Sequence, residues 1–245
     1  MKLDLDKLIN DGFLIFKKMI SNSDVALFVN EIDKLNKIYK KKNFEALFKD
    51  SPERDMIYQK LQNLNSVRKI VQKVCQKLEK NKFYSKLKFK VPFITNGLIL
   101  SLPNEKDNLN PLHQDIYNFY SYNFIKIWLP LTKVNKKNGS MLVYKSSNKL
   151  GFIEPKYQSK TSTYPEIDNR HTKGFKKIIF ELDPGDCVLF NPLILHKSIG
   201  NKSKSTRFNI GIDIQDFNIN GNVDVIRKMV AIKNQRTLRR NLLRK

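Results

Sequence analysis

From Leu87 onward the chain is a succession of short apolar or alternating runs, at 87–94, 97–102, 122–134, 139–145, 176–182, 186–190 and 206–215, separated by Pro, Gly and Asn. Runs of this length with period-two alternation read as strands that each bury one face. No such strand is stable alone, so they must pair into sheets that cover one another. A two-sheet jelly roll does this while protecting its edges and leaving a pocket at one mouth. Before Leu87 the period is helical: Val25, Phe28, Ile32 and Leu35 follow capping residues at Ser21–Asp24, and Ile57, Leu61, Leu64, Val67, Ile70, Val71, Val74 and Leu78 repeat the pattern from Arg54 to Lys80. Such amphipathic helices buttress a sheet. The expected fold is therefore mainly β with flanking helices (α+β). One domain covers 1–245, with helical support over 1–86, a jelly-roll core over 87–216 and a basic helix over 217–245. Residues 12–20 add one early strand.

Within the β-rich part, Asn110-Pro111-Leu112-His113-Gln114-Asp115 places an imidazole and a carboxylate two residues apart. On an extended strand these two side chains share a face and can reach one small ion. The chain has only three histidines. His196, directly after the strand-like run Asp186–Phe190, is the natural third ligand. Two neutral imidazoles and one carboxylate on one side of an octahedral ion leave the opposite positions open, which is the facial arrangement of non-haem Fe(II) sites. Downstream, Arg207 lies in the alternating run Ser205–Ile212, where a planar guanidinium can grip the far end of a dicarboxylate through paired hydrogen bonds. The third histidine, His171, sits in Asp168–Lys173 and reads as an exposed loop residue.

These motifs, with Asp11-Gly12-Phe13-Leu14-Ile15, the stretch Asn138-Gly139-Ser140 to Gly151, and Leu182-Asp183-Pro184-Gly185-Asp186-Cys187-Val188-Leu189-Phe190, resemble the phytanoyl-CoA dioxygenase-like (PhyH) family of Fe(II)/2-oxoglutarate oxygenases. The resemblance spans most of the chain up to about Gln215. It implies a double-stranded β-helix and a site where His113, Asp115 and His196 bind Fe(II), with 2-oxoglutarate and O2 as co-substrates. It further implies decarboxylation to succinate and CO2, coupled to hydroxylation of a C–H bond. Arg207 would meet the remote carboxylate, Ser198 would assist it, and Trp128 and Ser101 would line the pocket. Related halogenases lack the carboxylate that stands here as Asp115, which favours hydroxylation. The lysine that the family often carries near Ser101 is absent.

Forty-six Lys+Arg against 23 Asp+Glu give a formal charge of +23, a field that draws anions. The substrate expected is a small anionic metabolite or a glycan or lipid precursor. Gln114, Lys126, Arg170 and Lys173 are the candidate contacts, with Lys145 and Lys149 beside them. The segment 154–177 is long for a connection and suits a lid. The basic tail suggests peripheral contact with an anionic membrane surface. Two cysteines, Cys75 and Cys187, suggest no disulfide framework, and with no secretory signal at Met1–Asp6 a cytoplasmic location is expected. Two other readings compete. A nucleic-acid demethylase would use the same triad, but Arg207–Gln215 lacks the second arginine such enzymes carry. A non-catalytic jelly-roll module would work through the tail, but an intact triad argues against it.

Overall fold

The computed structural model describes residues 3–38, 54–104, 110–116, 124–157, 164–216 and 223–243. Parts of the expected strand at 122–134, of the long connection and of the tail lie outside the described residues. The major sheet orders its strands β1 (Phe13–Phe16), β6 (Cys187–Phe190), β3 (Phe124–Pro130), β8 (Arg207–Asp216) and β2 (Pro92–Ser101), every pair antiparallel. The minor sheet orders β5 (Lys177–Ile179), β4 (Met141–Tyr144) and β7 (His196–Ser198), also antiparallel. The result is the expected double-stranded β-helix with flanking helices.

Alternation decides which side chain meets which layer. Ile125, Ile127 and Leu129 of β3, with Phe208, Ile210, Ile212 and Ile214 of β8, join the core beneath the helices α1 (Leu5–Asp11), α2 (Asn22–Ile38), α3 (Arg54–Gln62) and α4 (Asn65–Lys80) through Leu8, Phe28, Ile32, Leu61, Val67, Ile70, Val74 and Leu78. The opposite faces of the strands turn inward. Trp128, Val188 and Phe190 of the major sheet meet Met141, Val143, Phe180 and Leu182 of the other layer.

Local chemistry sets the corners. A reciprocal capping box starts α2: the Asp24 N–H donates to Ser21 Oγ at 3.2 Å and the Ser21 N–H to the Asp24 carboxylate at 3.3 Å. Lys73 of α4 ion-pairs with that same Asp24, locking the two helices together. In Asp183-Pro184-Gly185-Asp186 the Asp186 carboxylate accepts from Lys17 Nζ at 2.7 Å and from the N–H groups of Lys18 and Asp183 at 3.0 Å. Gly185 has φ +87, and a Cβ there would stand 2.8 Å from the Ile20 carbonyl oxygen. The turn therefore pins the exit of β1 to the entry of β6.

The free edge of β2 is blunted by α3. Gln62 donates to the Leu98 carbonyl at 2.8 Å and accepts from the Leu98 N–H at 2.6 Å, standing in for a missing neighbour strand.

Several boundaries differ from the sequence reading. The two strands expected at 87–94 and 97–102 are one strand, β2, which begins at Pro92 after a short helix α5 (Phe83–Lys86). Asn96-Gly97 resembles a turn, yet the ladder with β8 runs unbroken through it, pairing Gly97 with Gly211. The strand expected over 12–20 stops at Phe16, where the chain turns through Lys18 at φ 52. The tail forms helix α6 (Val223–Leu243), and of its described apolar side chains Ile232 is packed and Leu238 is exposed. No helix among the described residues is long and apolar enough to cross a membrane.

Candidate metal and co-substrate site

The segment 110–116 lies along β7 and exchanges both backbone hydrogen bonds between His113 and His196, at 2.9 and 3.0 Å. Directly opposed residues of an antiparallel pair project to one face, so the rings come together with centroids 4.1 Å apart. Asp115, two residues on, shares that face, and its N–H is held by the Pro192 carbonyl at 2.9 Å. The three ligating atoms lie within 4.8 Å of one another, and all three residues are buried.

Each imidazole is oriented by its other nitrogen. His113 Nδ1 is 2.7 Å from the Pro111 carbonyl oxygen and His196 Nδ1 is 3.0 Å from that of Ile194. With Nδ1–H donated to a carbonyl, the lone pair sits on Nε2. Both Nε2 atoms face Asp115, at 3.5 Å from Oδ1 and from Oδ2 respectively. Ligand atoms around an octahedral first-row ion stand about 3 Å apart, so the donor set fits such an ion with little closure.

Burial, reinforced by His196, pushes the His113 pKa down to about 4. The ring is therefore neutral and able to ligate at ordinary pH. Burial alone would raise the Asp115 carboxyl, but the charge of Lys126 beside it works the other way, and Asp115 is held well below the usual carboxylate range.

Arg207 is buried on the inward face of β8, where its guanidinium carbon lies 5.4 Å from the centre of the Trp128 ring and NH1 donates to Asn209 Oδ1. Ser101 is the register partner of Arg207 on β2. Ser198, on the same face of β7 as His196, is half-buried, and its N–H donates to the Asn110 carbonyl at 3.0 Å.

The other candidates lie differently. Gln114 is fully buried on the reverse face, where its amide donates to the carbonyls of Gly151 and Leu193 at 2.8 and 2.6 Å and accepts from the Ile153 N–H at 3.0 Å. With these bonds it braces two loops. Arg170 is 70% exposed beside Asp168, and Lys173 is exposed after the same short turn. Lys145 pairs with Asp11 at 3.1 Å. His171 is half-buried in that turn, outside the ligand cluster. Lys126 does face the site, but its Nζ lies 3.1 Å from Asp115 Oδ2 and 3.3 Å from Asp213 Oδ1.

Residues that sequence reasoning passed over also shape the site. Tyr164 sets its ring edge-on to His113 at 4.8 Å and packs with Ile116, Phe124, Phe152, Leu193 and Ile232. Arg236 of α6 lies 3.8 Å over the Tyr164 ring, and Arg239 lies 4.2 Å over Tyr157. Ile232, Arg236 and Arg239 follow i, i+4, i+7 spacing, so this stripe of α6 sits against the loop beside the triad. Only that spacing, not hydropathy, could have drawn attention to it.

A double-stranded β-helix with a buried pair of imidazoles and one carboxylate, and an arginine on the inward face of a neighbouring strand, defines the facial-triad class of jelly-roll proteins. Within that class, the phytanoyl-CoA dioxygenase (PhyH) sequence profile matches residues 9–209, and the chain belongs to this family. Peroxisomal phytanoyl-CoA dioxygenase of Bos taurus is 24% identical over 237 residues, covering 85% of this chain and 66% of that protein. The Homo sapiens protein is 23% identical over 221 residues, covering 80% and 63%. The chain thus spans just under two thirds of these relatives. Among solved structures, EvdO2 from Micromonospora carbonacea var. aurantiaca, complexed with 2-oxoglutarate, superposes with a TM-score of 0.61 at 14% identity, covering 88% of this chain and 94% of that one. The non-heme monooxygenase ThoJ superposes at 0.59 with 16% identity, covering 98% of each chain. Both establish the shared fold.

Proposed function

We propose that this protein is an Fe(II)/2-oxoglutarate-dependent oxygenase that hydroxylates a C–H bond of a small anionic molecule, a metabolite or a glycan or lipid precursor. The observation that carries the reading is the buried convergence of His113, Asp115 and His196, with both Nε2 atoms turned to the carboxylate. When bound there, Fe(II) with 2-oxoglutarate and O2 supplies the oxidising chemistry, and the co-substrate leaves as succinate and CO2.

The protein's own contribution is arrangement. His113 and His196 present lone pairs already oriented by backbone carbonyls, so little ordering is needed when the ion enters. Asp115 would supply the one negative charge among the three residues that would hold the ion. Arg207 offers a fork to a remote carboxylate, over the ring of Trp128, and the Ser198 hydroxyl, on the same face of β7 as His196, is the candidate second donor. Tyr164, Ile116, Phe124 and Leu193 make an apolar wall that keeps water from the reacting atoms.

The anionic character of the substrate is supported by the charge of +23 and by the arginines of α6 seated over Tyr157 and Tyr164. The reading is tested by incubating iron-loaded protein with 2-oxoglutarate and a panel of phosphorylated and carboxylated metabolites, scoring succinate. Succinate that depends on iron and on one panel member supports it. A folded, iron-loaded protein that converts no 2-oxoglutarate with any of them counts against it, and points to a non-catalytic jelly roll.

A further inference from the structure

Lys126 stands opposite Asp213 in the β3–β8 ladder, and its Nζ bridges Asp213 Oδ1 at 3.3 Å and Asp115 Oδ2 at 3.1 Å. The three side chains are only 16%, 20% and 4% exposed, respectively.

We infer that Lys126 is a positioning residue: it holds Asp115 by Oδ2 so that this carboxylate gives the metal one oxygen and not two. The inference rests on the function proposed above. A carboxylate can bind an ion through one oxygen or both. Two imidazoles and one oxygen fill three of six positions, leaving two for a chelating keto acid and one for a diatomic gas. A second carboxylate oxygen would take that last position. Oδ2 lies 3.5 Å from His196 Nε2, so it is the oxygen that would close on the metal beside Oδ1; to do so it would have to give up its ion pair with Lys126 in a buried setting, where losing one of the ammonium's two carboxylate partners is costly.

Asp213 completes the device. It fixes the lysine from across the ladder, and its negative charge offsets that of Lys126, so a cation can stand beside the metal position without excluding the metal. The same pairing explains why Lys126, an obvious anion receptor by charge, has its ammonium committed to two carboxylates.

Nitric oxide is a stable probe of the open position, because its adduct with ferrous iron has a distinctive electron paramagnetic resonance signal. Anaerobic Fe(II)-loaded protein saturated with 2-oxoglutarate is titrated with nitric oxide for the wild type, Lys126→Met and Asp213→Asn. Lys126→Met is expected to keep the visible band of the chelated keto acid while its nitric oxide affinity falls by about 10–100-fold, the usual scale for losing a residue that orients a ligand. Asp213→Asn is expected to shift it in the same direction by less. Equal nitric oxide affinity in Lys126→Met with the band intact overturns the inference and leaves the lysine as a substrate contact. Where Lys126→Met fails to fold or to show the band, Asp213→Asn decides: weaker nitric oxide binding supports the inference, and unchanged binding overturns it. Absence of the band in the wild type overturns the oxygenase reading and this inference with it.

Discussion

Replacing Gln114 by alanine removes one side chain that satisfies three buried backbone groups: the carbonyls of Gly151 and Leu193 and the N–H of Ile153. Gln114 is 0% exposed, so water does not readily replace it. At about 0.5–1.5 kcal/mol net for each of three neutral bonds, the loss sums to about 1.5–4.5 kcal/mol before any penalty for groups left unpaired. For a chain of this size that corresponds to a drop in Tm of roughly 5–15 °C. The assay is thermal unfolding of metal-free protein followed by circular dichroism, beside a titration of Fe(II) with 2-oxoglutarate. The loops it ties flank His113, Asp115 and His196, so the band should need more iron to develop even where the protein is folded. The reasoning is refuted if Tm falls by less than about 2 °C while the KM of an identified substrate rises. That pattern would make Gln114 a substrate contact and the observed bonds incidental.

Further outcomes follow from the same geometry. Arg207→Ala should leave iron binding near wild type and weaken 2-oxoglutarate by about 30–1000-fold, the cost of about 2–4 kcal/mol for removing a buried charged partner, read by the co-substrate concentration at half-maximal band. Gly185→Ala, which places a Cβ 2.8 Å from the Ile20 carbonyl at φ +87, should cost about 1–3 kcal/mol by denaturant titration. The pH dependence has a definite sign. The folded His113 pKa lies near 4, below the ordinary imidazole value of 6.5, so its neutral form contributes stability that is fully present above about pH 6.5 and is lost as pH falls towards 4. Metal-free His113→Gln should show a flatter stability profile across that window, measured by urea midpoints at successive pH values.

Much of the β-helix is legible in the sequence because alternation is a local signal. Ile125, Ile127 and Leu129 alternate against Phe124, Lys126 and Trp128, and the two sets face the helices and the site. The ligand set is legible for a related reason, since His-x-Asp on an extended segment needs no tertiary information. What escapes is what tertiary pairing decides. Asn96-Gly97 reads as a turn because glycine and asparagine favour turns, but opposite Gly211 they continue the ladder. Lys126 reads as an anion receptor from its charge alone, and only the register that sets Asp213 against it reveals where the ammonium is spent. Gln114 falls on the reverse face, as alternation requires, but its three partners come from chain segments far away in sequence. The arginines of α6 escape for another reason: no hydropathy pattern marks a guanidinium that lies flat on a tyrosine ring.

The most direct measurement is an anaerobic titration of Fe(II)-loaded protein with 2-oxoglutarate, following the visible charge-transfer band of a chelated keto acid, in the wild type, Asp115→Ala and Arg207→Ala. The account predicts a saturable band in the wild type, no band without Asp115, and a band without Arg207 that needs far more co-substrate. Correctly folded wild-type protein that takes up iron and shows no band would contradict it.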